Sequence, residues 1–118
     1  MRITVKAHGF EELEKRFSNE SLRRMRQRID KTTEEYTRKM ANESASMAPV
    51  LYNVLRPSIA ASVRKEKEMH WYYGSPVPYA RRWEYEHRSK AGYFRKSVWR
   101  NRQAYRQAVR DDVRRLGR

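Results

Sequence analysis

No cysteine occurs in this chain, so disulfides, thiolate nucleophiles and zinc–thiolate sites are excluded together. Glycine is scarce: Gly9, Gly74, Gly92 and Gly117 are scattered as punctuation, and no glycine-rich loop is available to cradle a phosphate. The histidines are His8, His70 and His87, with no two at a metal-ligand spacing and no acids clustered beside them. Neither a metal nor another cofactor is therefore expected. Long apolar runs are missing too, which leaves no membrane span and no signal peptide. The expectation is a soluble chain made in the cytoplasm, with no membrane partner. Repeats and low-complexity tracts are also absent, so 118 residues should form one domain with one modest core.

Acidic residues run short toward the C-terminal end. Residues 81–118 carry 13 basic and 4 acidic side chains, and so hold +9 of the net charge of +14. Such a surplus attracts polyanions or acidic proteins, and sign alone does not choose between them. The aromatic residues are just as uneven: ten of the fourteen lie between Trp71 and Tyr105. Flat apolar rings edged by arginine and lysine suit interfaces with protein or nucleic acid.

The pattern predicts an α+β order. Residues 2–7 alternate, placing Ile3, Val5 and Ala7 on the inner side of a short strand. Phe10, Leu13 and Phe17 then recur at helical spacing, after which Ser18 and Asn19 can cap a second helix. Leu22, Met25, Ile29, Tyr36, Met40 and Met47, with Thr33 and Ser44 in the missing steps, form one stripe of a long helix that stops before Pro49. A loop over 50–57 should lead to a β-hairpin with strands at 58–63 and 69–73, joined by the charged turn 64–68. A short helix within 77–85 and a polar loop over 86–91 follow. The last element is an amphipathic helix from Tyr93 to Leu116, with Phe94, Val98, Tyr105, Val109 and Leu116 inward. The architecture expected is thus a small antiparallel sheet with helices packed on it.

Each chemical reading has a plainer competitor. The methionine-rich stripe of the long helix reads as core packing, a role for which methionine's flexibility suits it. His70, Tyr73, Arg81, Arg82 and Tyr85 supply the groups that a metal-free ribonuclease would use, but no spacing demands that chemistry. On the last helix Arg95, Trp99, Arg102, Arg106, Arg110 and Arg114 run along the flank beside the apolar face. A solvated helix face would account for the arginines alone. It does not account for a tryptophan among them, nor for the preference for arginine over lysine, which favours bidentate contact with carboxylate or phosphate. Together with Arg81 and Arg82, these residues are the expected interface, facing protein or a DNA channel.

Five short motifs follow one another along nearly the whole chain: Gly9-Phe10-Glu11-Glu12-Leu13, Ala48-Pro49, Leu55-Arg56-Pro57-Ser58-Ile59, Tyr79-Ala80-Arg81-Arg82-Trp83-Glu84 and Gly92-Tyr93-Phe94-Arg95. In these motifs and their order the chain resembles the tail-completion or head–tail joining proteins of long-tailed bacteriophages, often called neck or minor capsid proteins. Two positions depart from the family pattern: Tyr52-Asn53 stands where Thr-Gly is usual, and Tyr85-Glu86 where Gly-Thr is common. The resemblance implies a non-enzymatic virion protein assembled in the host cytoplasm. It would form a homo-oligomeric ring, expected to be hexameric, between the connector or adaptor and the tail-tube or tail-terminator proteins. Non-specific contact with genomic DNA in the channel is part of the same implication. The competing readings are a cytoplasmic nucleic-acid-binding protein without sequence specificity and, behind it, the ribonuclease.

Overall fold

The computed structural model describes residues 1–50 and 54–116, the last of these in backbone only. Tyr52, Asn53 and the side chain of Leu116 therefore lie outside the described residues. The fold is α+β. Strand β1 (Arg2–Lys6) is followed by helix α1 (Glu11–Glu14), the long helix α2 (Asn19–Met47) and helix α3 (Leu55–Ala60). Strands β2 (Arg64–Lys67) and β3 (His70–Gly74), helix α4 (Ala80–Glu86) and helix α5 (Tyr93–Leu116) complete it.

Helix α2 starts three residues before its apolar stripe because the Ser18 side chain caps it, accepting from the Ser21 N–H at 3.2 Å. It runs 29 residues, about 43 Å, and ends at Ala48 in extended geometry ahead of Pro49. Helix α5 packs antiparallel to it, as the cross-helix pairs Arg28–Asp112, Thr33–Tyr105, Glu43–Asn101 and Ser44–Ser97 show by their opposite numbering. Ala41 and Ala45 of α2, with Ala48 just past its end, share one core cluster with the buried rings of Tyr73, Tyr93 and Phe94. At the other end, Phe10, Leu13 and Phe17 pack on Met25 and Ile29.

The hairpin differs from its sequence reading. Residues 58–63 are not a strand: α3 runs through Ala60, burying Leu55 and Ile59 one turn apart. Pro57 is tolerated because first-turn residues have no intrahelical partner for an N–H. Residues 55–57 of the expected loop over 50–57 are helical, while 51–53 lie outside the described residues, and the charged segment 64–67 is strand β2 instead of a turn. All four β2 side chains are exposed, so backbone pairing with β3 holds it and no hydrophobic alternation marks it. The turn itself is Glu68-Met69, with Met69 at φ 64. The sheet order is β1-β3-β2, antiparallel throughout, so β1 and β2 are its edges.

Candidate interface on helix α5

Glu84 organises the site. It is wholly buried, and its carboxylate accepts the backbone N–H groups of Phe94 (2.8 Å) and Arg95 (3.2 Å) and the Arg95 guanidinium (3.0 Å). These are the first-turn donors of α5, which have no helical partner of their own, and a carboxylate there also meets the positive end of the helix dipole. The Glu84 carbonyl accepts the Gly92 N–H at 2.6 Å, and Gly92 takes φ +84, a geometry that L side chains rarely adopt. Two residues of the Tyr79-to-Glu84 motif thus have definite structural work. Ala80 is buried and its carbonyl accepts the Tyr93 hydroxyl, while Glu84 fixes where α5 begins.

Beyond that anchor, α5 divides into three strips. Val98, Tyr105 and Val109 face the core with Phe94. Ser97, Asn101 and Asp112 form a buried polar seam against α2, where Asp112 accepts from Arg28 and Thr32, and Asn101 donates to Glu43 at 2.6 Å. The third strip is Trp99, Arg102, Arg106, Arg110 and Arg114, all exposed, spanning about 22 Å along the helix. Trp99 has 67% of its surface in solvent. Among the described residues none of these four arginines has an ion-pair partner, so like charges face one another at i, i+4 spacing.

The other expected interface residues are placed differently. Arg95 is exposed on one side, but its guanidinium is tied to Glu84 and lies over the Tyr85 ring at 4.9 Å. Arg82 pairs with Glu86 at 3.0 Å, and both Arg81 and Arg82 sit on α4, outside the α5 row. Four of the ten clustered aromatic residues, Tyr73, Tyr93, Phe94 and Tyr105, are buried, and Trp71, Tyr72, Tyr79 and Trp83 are half-buried. The rings of Tyr79, Trp83 and His87 follow one another with centroids 4.6 and 5.3 Å apart, tilted and then edge-on. Only Tyr85 and Trp99 of the ten are largely exposed.

Two of the groups named for ribonuclease chemistry, His70 and Tyr73, do not converge. His70 and Tyr73 lie three apart on β3, hence on opposite faces. Burial raises the Tyr73 hydroxyl above its ordinary pKa, and it bonds Ser97 (2.9 Å) and Ser44 (3.4 Å) inside the core. Burial, then the nearby Lys67 and Lys6 ammonium groups, hold the His70 imidazole below its usual value. No group of three or more histidines and acids that could hold a metal ion occurs among the described residues.

A groove of about 630 Å³ separates α5 from β1. Arg102, Arg106 and Arg110 stand on its α5 side, above Val98, Tyr105 and Val109, with Met40 also in its lining. Sequence reasoning identified the arginines but not the groove, because the strand order that leaves β1 as an edge has no local signal. Comparisons with known protein families, with curated proteins and with solved structures find no match to this chain.

Proposed function

We propose that this chain is a structural protein of the phage head–tail junction, forming a homo-oligomeric ring, expected to be hexameric, between the connector and the tail tube. The observation that carries the reading is the row of arginines around exposed Trp99 on α5, which have no ion-pair partner among the described residues. Like charges repel along that row, and a partner's anions would relieve it. The resemblance adds support, since its matching residues fall at positions with clear structural roles: Ala48-Pro49 ends α2, Gly92 opens α5 and Glu84 caps it. The function needs no catalytic constellation, and the buried, core-bonded Tyr73 hydroxyl is poorly placed for one.

The same arginines favour a second reading, phosphate contact without sequence selection. Withdrawing the chain from a phage that encodes it separates the two. The assembly role predicts DNA-filled heads and finished tails lying apart in electron micrographs, with joining restored by added purified protein. Normally joined particles in its absence would contradict the proposal.

A further inference from the structure

Going beyond the assembly role, and independent of it, we propose that the groove between β1 and α5 takes an extended, acidic segment of another protein as a fourth strand of the sheet. The backbone of β1 is prepared for this. The bonds at the two ends of its ladder with β3 set the phase: the Ala7 N–H donates to the Met69 carbonyl at 3.0 Å, and the Ser75 N–H to the Met1 carbonyl at 2.9 Å. Antiparallel ladders alternate, so Ile3 and Val5 also face β3, and the N–H and C=O groups of Thr4 and Lys6 turn toward the open edge.

The groove lies on that edge. Successive residues from Ile3 to Lys6 of β1, and Ala7 after it, all line it, whereas a pocket over one sheet face would meet only alternate residues. The two sheet edges are also treated differently. Strand β2 is fully charged and carries a register irregularity between Lys65 and Lys67, two devices that discourage further pairing. Strand β1 pairs in regular register over five residues and has no proline.

Charge and spacing identify the occupant. Arg102, Arg106 and Arg110 repeat every four residues, so the row covers about 12 Å. Three alternate residues of a strand cover about 13–14 Å. A segment alternating apolar and acidic residues therefore sets its apolar side chains over Val98, Tyr105 and Val109 and aims its carboxylates at the arginines. A second copy of this chain fits badly, since pairing β1 with β1 would oppose two arginine rows and β2 is itself mostly basic. Nucleic acid fits badly as well, because the outward carbonyls of Thr4 and Lys6 would face phosphates. An edge offering donors and acceptors in turn matches a peptide backbone.

The test is an amide NMR titration of the isolated chain with a heptapeptide of alternating glutamate and valine. Expected are shifts confined to β1 and α5, and exchange of the Thr4 and Lys6 amides slowed about tenfold or more near saturation. The Thr4→Pro variant removes one outward donor without touching the ladder to β3, and should lose binding while keeping the native spectrum. Should that variant not fold, the triple variant R102E/R106E/R110E carries the test, with affinity expected to fall at least about tenfold. Equal binding of a lysine–valine heptapeptide or of oligothymidylate would overturn the proposal. So would unprotected Thr4 and Lys6 amides under saturating peptide, or their protection by self-association alone.

Discussion

Asp30 sits mid-helix in α2, where aspartate is a poor helix former, and its value lies in what it reaches. One oxygen accepts the Met69 N–H at 2.8 Å and the Trp71 indole N–H at 3.1 Å, and the other meets the Lys65 ammonium at 3.1 Å. A single carboxylate thereby ties α2 to both strands of the hairpin and to the Met69 residue at its positive-φ turn. Partial burial pushes its pKa up, but these three donors outweigh that and hold it below the ordinary 3.8. A carboxyl depressed in the folded state stabilises it above the unfolded pKa, and that contribution fades as pH falls through the folded value. Asp30→Asn should thus cost about 1 kcal/mol at neutral pH, with the gap to the native chain closing as the pH falls below the ordinary carboxylate value of 3.8 and on through the lower folded one. Thermal melts of both proteins at neutral and acid pH check this, and a gap unchanged on acidification would deny the carboxylate its role.

At the scale of elements, legibility followed the hydrophobic pattern. Strand β1 and helices α2 and α5 each bury one periodic face, so the pattern alone places Val5, Ile29 and Phe94 inside. Strand β2 buries no side chain and α3 is a single short amphipathic turn and a half, so local pattern misassigned both. The polar seam was legible only at Thr33 and Ser44, where the helical period demanded a buried residue. Ser97, Asn101 and Asp112 belong to residue types that usually face solvent, and their partners come from a different helix. Of the candidate site, the arginine flank and Trp99 were readable from the helical period, but Arg95's tie to Glu84 was not. Glu84 joins α4 to α5 so closely that its loss should be felt along the helix. Glu84→Ala leaves two first-turn N–H groups of α5 buried or half-buried without their acceptor, and should destabilise the domain by about 3 kcal/mol. Denaturant unfolding measures this, and a loss below about 0.5 kcal/mol would show that another group caps α5.

As a whole the molecule is elongated, 52 × 21 × 18 Å, because α2 and α5 set its length and only a three-stranded sheet adds breadth. Its positive charge is concentrated on the last third of the chain, where, among the described residues, only Arg82 and Arg95 have ion-pair partners, and the α5 row gathers four of the others on one flank. Of the ten clustered aromatic residues, which first suggest a broad interface, only Tyr85 and Trp99 are largely exposed, and Trp99 is the one that stands beside the α5 arginine row. The central claim is that this flank joins protein to protein in the virion. The most direct test is electron microscopy of particles assembled with the R102E/R106E/R110E variant, after circular dichroism has established that it folds. The account predicts a native fold with heads and tails left unjoined, and normally joined particles carrying the folded variant would contradict it.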